Sequence, residues 1–187
     1  MEYREFRLTG SGGQGLILAG IILAEAALLE GKNVVQSQSY GPEARGGASK
    51  AEVIISDSFI NYPKIDKCDI LLALTQKAYD KYIDTLKDNG VLIVDNGISL
   101  NNNINNINVF SIPILNTASE KIGTPMVANM IALGSIQAVT DIVKMESLEK
   151  AVLSRVPKGT EELNRRALNE GVGLINNRKG TLNYETC

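Results

Sequence analysis

Two glycine clusters near the N-terminus hold the residue types with which this chain can do chemistry. The first is Gly10-Ser11-Gly12-Gly13-Gln14-Gly15, which satisfies G-x-G-x-x-G at Gly10, Gly12 and Gly15. Glycines in that pattern let the backbone turn tightly and bring amides and a helix N-terminus close to an anion. A dinucleotide is the simplest ligand. It also requires an acidic residue at the end of the next strand, to hold the ribose hydroxyls. That strand reads Val34-Val35-Gln36-Ser37-Gln38, and Glu30 lies ahead of it, on the wrong side. A P-loop is excluded, because no Gly-Lys-Ser/Thr follows. Two readings of the first loop stay open: a tight turn packed against another subunit, or a cradle for some anionic group.

The second cluster is Ser39-Tyr40-Gly41-Pro42-Glu43-Ala44-Arg45-Gly46-Gly47-Ala48-Ser49. Arg45 followed by Gly46-Gly47 sets exposed backbone amides beside a guanidinium, a combination that suits a carboxylate or a phosphate. The plainer reading is a wide hairpin loop with a local Glu43–Arg45 ion pair.

Several chemistries are absent. The chain has no histidine, which removes Ser-His and Cys-His pairs and the commonest general base. Its two cysteines, Cys68 and Cys187, are too few for an iron–sulfur cluster, which usually takes about four thiolates. Cys68 precedes an apolar run and is expected to be a buried hydrophobe. Cys187 ends a polar tail. Net charge is −2, so no global attraction to nucleic acid or anionic membrane is expected. The longest apolar stretch, Leu16 to Leu29, includes Gly20 and Glu25 and is too short to span a bilayer. The charged start Met-Glu-Tyr-Arg-Glu runs directly into a strand-like segment, so no leader is expected and the cytoplasm is the default location.

The elements that must position the loops follow from the apolar pattern. Phe6–Thr9 reads as a strand and Leu16–Glu30 as a helix that stops at Gly31. That helix is apolar almost all the way round, as in helices buried on more than one side. Strands are expected at Asn33–Gln38, Ala51–Ser56, Ile70–Leu74, Gly90–Asp95 and Val109–Ile112, and a helix at Gln76–Lys87. The link between the second and third strands is short and has no helical pattern, which points to an antiparallel pair in a mixed sheet. Residues 100–108 are nearly all asparagine and isoleucine and read as a surface excursion. Thr124-Pro125 opens a long helix through Met126, Met130, Leu133, Ile136 and Val139, with Thr as N-cap and Pro at the first position. Helices at Ser147–Arg155 and Thr160–Asn176 follow, then a polar tail expected to fray over 177–187. The whole, 1–187, is expected to be one α/β domain: three layers, a mixed, mostly parallel sheet of about six strands, flanking helices and a Rossmann-like start.

The two glycine loops together resemble the gamma subunit of 2-oxoacid:ferredoxin oxidoreductases. The resemblance runs through Leu16-Ile17-Leu18-Ala19-Gly20, Gln38 to Gly47, Ser49, Ala51-Glu52-Val53, Ile55-Ser56, Pro63, Asp69, Leu71-Leu72-Ala73 and Ala78-Tyr79, and resumes at Asn129-Met130 and Leu133-Gly134. It implies a non-catalytic subunit of a complex that decarboxylates a 2-oxoacid oxidatively on thiamine diphosphate, reduces ferredoxin and forms an acyl-coenzyme A. Thiamine diphosphate, Mg2+ and 4Fe–4S clusters would then sit on alpha, beta and ferredoxin-like delta subunits, and no Gly-Asp-Gly thiamine motif occurs here. Tyr40, Gly41, Glu43, Arg45, Gly46 and Gly47 would face coenzyme A or the 2-oxoacid, while Gly10, Gly12, Gly13, Gln14 and Gly15 would serve assembly. No residue is expected to be catalytic or to bind metal, and the isolated chain is expected to be inactive. The loop sequence is most similar to 2-oxoglutarate enzymes, with pyruvate, branched-chain 2-oxoacids and indolepyruvate as alternatives. The other classes are a stand-alone nucleotide-binding module and a non-catalytic interaction protein, for which the apolar helix, Met126 and Met130 would form an interface.

Overall fold

A computed structural model describes residues 2–38, 48–101 and 106–182, with only the backbone for residue 48 and for 178–182. Strand β1 (Tyr3–Ser11) leads through the first glycine loop into α1 (Leu16–Leu29). Then come β2 (Asn33–Gln38), β3 (Ala48–Ser56), β4 (Cys68–Ala73), α2 (Gln76–Tyr82), β5 (Leu86–Asp95) and β6 (Asn108–Ile112). A short helical segment, α3 (Ile114–Asn116), continues as a wider turn to Ile122, and α4 (Ala128–Thr140), α5 (Met145–Arg155) and α6 (Glu161–Leu182) complete the chain.

The six strands lie in the order β2-β3-β1-β4-β5-β6. β3 is antiparallel to both β1 and β2, whereas β4, β5 and β6 run parallel to β1 and to one another. The sheet is therefore mixed and mostly parallel, as expected, and the β2–β3 pair is antiparallel as the short link required. Alternation along β1 sorts the core: Phe6 and Leu8 join α1, α4, α5 and α6 on one face. On the other face Leu71, Ala73, Leu92 and Val94 pack under α2 with Ala78, Tyr79 and Tyr82. The three layers are unequal, with one short helix covering the second face.

Several element boundaries differ from expectation, most clearly those of α2, β5 and α6. α2 does not reach Lys87: it ends at Tyr82, a 3-10 turn covers Ile83–Thr85, and β5 starts at Leu86. Thr85 Oγ1 donates to the Tyr82 carbonyl at 2.5 Å. Lys87 is drawn into the sheet edge by Glu5 (2.6 Å) and Asp69 (2.9 Å). Burial alone would lower the Lys87 ammonium, but those two carboxylates outweigh it and hold its pKa above the ordinary value. α6 continues to Leu182, past the point where the polar tail was expected to fray. Thr124 caps as expected, accepting from the Met126 amide at 3.4 Å, with Pro125 at the first position. The segment Ile114–Ile122 has no clear signal in the sequence. It is pinned from a distance by Asp95, whose carboxylate accepts from the Leu115 amide at 2.8 Å.

Candidate functional site

The register of β1 with β3 fixes where the two loops meet. Ser11 pairs with Ala48, Gly10 with Ser49 and Thr9 with Lys50. The first glycine loop therefore starts beside the point where the second one ends. Both sit at the end of the sheet where the parallel strands β4, β5 and β6 also finish. α1 leaves β1 onto one face and α2 leaves β4 onto the other. In an open α/β sheet such a reversal between neighbouring strands is where ligands bind.

The crevice at the reversal is filled by the chain itself. Gln14 folds back so that its Oε1 accepts from the Ser11 amide at 2.7 Å. That amide is one a bound anion would otherwise use. A Cβ at Gly10 would collide with Gln14 Oε1 and would sit 2.8 Å from Leu16 Cδ1 and 3.3 Å from Leu74 Cβ. Gly13 (φ +89°) and Gly15 (φ +70°) take left-handed backbone, which glycine adopts without strain. Asn129, nearly buried on α4, donates from Nδ2 to the Gly15 carbonyl at 3.2 Å, and its Oδ1 accepts from the Met130 amide at 3.0 Å. The loop is thus closed by its own glutamine and by an asparagine far along the chain, which leaves no acid or open cradle of the dinucleotide type. Asn129 and Leu74 carry no signal of this role in the sequence, because only the tertiary fold brings them to the loop.

α1 starts at Gly15 without a side-chain cap or an acid in its first turn. Its first turn borders a shallow groove of about 390 Å³, with Ser11, Gly13 and Ser49 on one side and Ile17, Leu18 and Ile21 on the other. Of the second loop, Tyr40, Gly41, Glu43, Arg45, Gly46 and Gly47 lie outside the described residues.

On the opposite face, the strand leaving the second loop is held by charge. Glu52 accepts from Arg7 Nε at 2.8 Å and lies 3.0 Å from Lys50 Nζ through its other oxygen. Arg7 Nη2 also donates to the Ile65 carbonyl at 2.7 Å, and the guanidinium carbon lies 5.8 Å from the centre of the Tyr82 ring. Arg7 and Glu52 are both buried, so breaking this pair would strand an uncompensated charge.

Among the described residues the one cysteine is Cys68. Cys68 is fully buried, and burial, partly offset by Arg7, pushes its thiol up to about 12. A thiol held neutral is a poor metal ligand. Its Sγ donates weakly to the Thr85 carbonyl at 3.5 Å. Cys187 lies outside the described residues. Among the described residues no group of three or more His, Cys, Asp or Glu side chains is arranged to hold a metal ion, and no helix is long and apolar enough to cross a membrane.

Fold and first loop together define an open α/β domain whose glycine turn is closed by its own side chains. A family model described as pyruvate ferredoxin/flavodoxin oxidoreductase matches residues 5–174, and the chain belongs to that family. It is 53% identical over 171 residues to the 2-oxoglutarate synthase subunit KorC of Methanocaldococcus jannaschii, covering 90% of this chain and 91% of that one. The keto/oxoacid ferredoxin oxidoreductase gamma subunit of Geobacter sulfurreducens has the same fold, with a TM-score of 0.81 at 53% identity, over 91% of this chain and 96% of that one. The fold alone recurs, with a TM-score of 0.85 at 20% identity, in the 2-oxoglutarate:ferredoxin oxidoreductase of Magnetococcus marinus, solved with 2-oxoglutarate, coenzyme A and succinyl-CoA bound. There it covers 95% of this chain but 32% of that one.

Proposed function

We propose that this chain is the gamma subunit of a thiamine-diphosphate-dependent 2-oxoglutarate:ferredoxin oxidoreductase of the cytoplasm. The complex decarboxylates 2-oxoglutarate oxidatively, reduces ferredoxin and forms succinyl-coenzyme A. The substrate assignment draws on the high identity to a 2-oxoglutarate synthase subunit over nearly the full length of both chains. In this reading thiamine diphosphate, Mg2+ and the 4Fe–4S clusters belong to the alpha, beta and ferredoxin-like delta subunits. The chain acts as one domain over 1–187 and contributes no bond-making step: it supplies structure and closes the assembled site beside coenzyme A.

The observation that supports this role is the pairing of Ser11 with Ala48, which sets the start of the first glycine loop beside the first residue after the second, at the ligand end of the sheet. Arg45 and the amides of Gly46-Gly47 have the chemistry for the phosphates of coenzyme A or the carboxylates of 2-oxoglutarate. Tyr40, Gly41 and Glu43 shape the same loop. Gly10, Gly12, Gly13, Gln14 and Gly15 form the turn against which that loop and a neighbouring subunit rest.

The test is purification of the complex with its partner chains and measurement of ferredoxin reduction with 2-oxoglutarate and with pyruvate. The reading requires a thiamine-binding chain to co-purify and 2-oxoglutarate to be the better substrate. Arg45→Ala should raise the KM for coenzyme A or 2-oxoglutarate with assembly intact. Unchanged kinetics in an intact complex would remove the second loop from the site, and failure to co-purify with any thiamine-binding chain would overturn the subunit assignment.

A further inference from the structure

Helix α1 is apolar on every side, and Glu25 is its single charged residue. Its inner residues, among them Ala19, Ile22, Leu23, Ala26 and Ala27, are buried against the sheet and α5. Its outer residues remain uncovered: Leu28 is 58% and Leu29 49% exposed, and Ile17, Leu18 and Ile21 are half-buried. A helix on the outside of an α/β domain ordinarily turns a polar face outward. Glu25 pairs with Arg155 of α5, and with Lys150 these charges flank only the far end of the helix.

The uncovered residues join into a band. The groove beside the first glycine loop shares Leu18 with a second apolar depression of about 290 Å³, whose rim carries Met126 and whose walls include Met130, Val156 and Leu163. Met126 is 83% exposed. A third depression, also about 290 Å³, lies apart at the far end of α1, where Glu25, Lys150 and Ser154 stand beside Leu28, Leu29 and Ala151. The apolar band runs from the first glycine loop along the first turns of α1 and past Met126 to Val156 and Leu163, and joined apolar surface of this kind marks a protein contact rather than scattered surface leucines.

Its occupant is indicated by how the fold is used in the relatives. In the Geobacter gamma subunit the fold makes up 96% of the chain, whereas in the Magnetococcus chain it makes up 32%. One fold thus exists both joined by peptide bonds to a larger body and as a separate subunit. The separate form must hold that body through surface contacts alone. We infer that the α1 band, with Ile21 and Met126 at its centre, is the surface on which the larger subunit of the same oxidoreductase docks, through an apolar, charge-poor face of its own. This rests on the gamma-subunit reading above and names its partner surface.

The experiment uses the complex co-expressed with its native partner chains, carrying Ile21→Lys, Met126→Lys or, as a control, Phe59→Lys. Phe59 is 79% exposed and follows β3 at the Tyr3–Ser56 end of the sheet, opposite the loops. Circular dichroism of each full chain verifies folding, and sedimentation measures association. Lysine in the centre of the band should weaken association about tenfold or more, as for centrally placed contact residues, while Phe59→Lys associates like the unsubstituted chain. Wild-type association of both band variants, or equal weakening by Phe59→Lys, overturns the inference. So does a band that instead pairs two copies of this chain, seen as self-association lost in the variants with complex assembly unchanged. If the unsubstituted chain binds no thiamine-binding partner at all, the functional reading falls first and the docking surface with it.

Discussion

Two pairs of glycines are crowded by neighbours, and they differ in what crowds them. Where α4 crosses α6, a Cβ on Gly134 would land on the Leu168 carbonyl, and one on Gly171 on the Ile131 carbonyl. Ser135, fully buried between them, shares its one hydroxyl proton between the Ile131 carbonyl (2.9 Å) and the Gly171 carbonyl (3.1 Å). In the first glycine loop the neighbours are side-chain ends instead: Gln14 Oε1 beside Gly10, and Asn129 Nδ2 at 2.5 Å from a Cβ on Gly15. A helix backbone cannot step aside without losing its ladder, but an amide side chain can rotate. The helix crossing is therefore a fixed frame, and the loop is a turn whose packing can be rearranged at modest cost.

The largest effect should come at the crossing. Gly171→Ala must push α6 away from α4 and open the core between them, a cost of about 3 kcal/mol or more. Thermal unfolding should then fall by about 10 °C. A drop of only a degree or two would mean that the helices can separate freely, and the contrast with the loop would collapse.

Gly15→Ala should cost less, about 2 kcal/mol, from the left-handed backbone and the displaced Asn129 amide. The effect should be measurable as a smaller fall in unfolding temperature. In an Asn129→Ala background the same change should cost less still, because its crowding partner is gone. Equal costs in both backgrounds would show that backbone strain alone limits the position.

These contrasts also show what was legible in the sequence. The G-x-G-x-x-G spacing located the turn, and the short β2–β3 link predicted an antiparallel pair. The self-closure by Gln14 was not legible, because a glutamine in a glycine loop can as well face a ligand. Asn129 was out of reach for a different reason: its partner Gly15 lies on another element and only packing brings them together. Gly134 and Gly171 looked like ordinary helix residues, since a close crossing depends on two helices at once. Lys87 was assigned to a helix by local propensity, and its ion pairs to Glu5 and Asp69 belong to the sheet.

Cys68 offers a probe of the same contrast. Burial keeps its thiol neutral with a pKa of about 12, against an ordinary 9.0. At pH 8 iodoacetamide should leave Cys68 unlabelled in the unsubstituted chain and in Gly15→Ala. Gly171→Ala, with a larger unfolded population, should label it. The sign of the pH dependence follows from the raised value. The folded state keeps a proton that the unfolded state loses, so this contribution is intact below 9.0 and stability declines as pH rises toward about 12.

The smallest change in stability is expected at Gln14, and it separates the two readings of the loop. Gln14→Ala removes the acceptor for the Ser11 amide, worth about 1 kcal/mol, without straining the backbone. It also uncovers that amide at the edge of the groove shared with Ser49. If the loop serves only as a turn, the assembled complex should keep its KM values for 2-oxoglutarate and coenzyme A. If the loop borders an anion, the freed amide should lower one of those KM values. Gln14→Glu, which keeps an acceptor but adds a negative charge, should raise the same KM. A shift of opposite sign in the two variants would assign an anion to the first loop. No shift in either would leave the first loop as a structural turn.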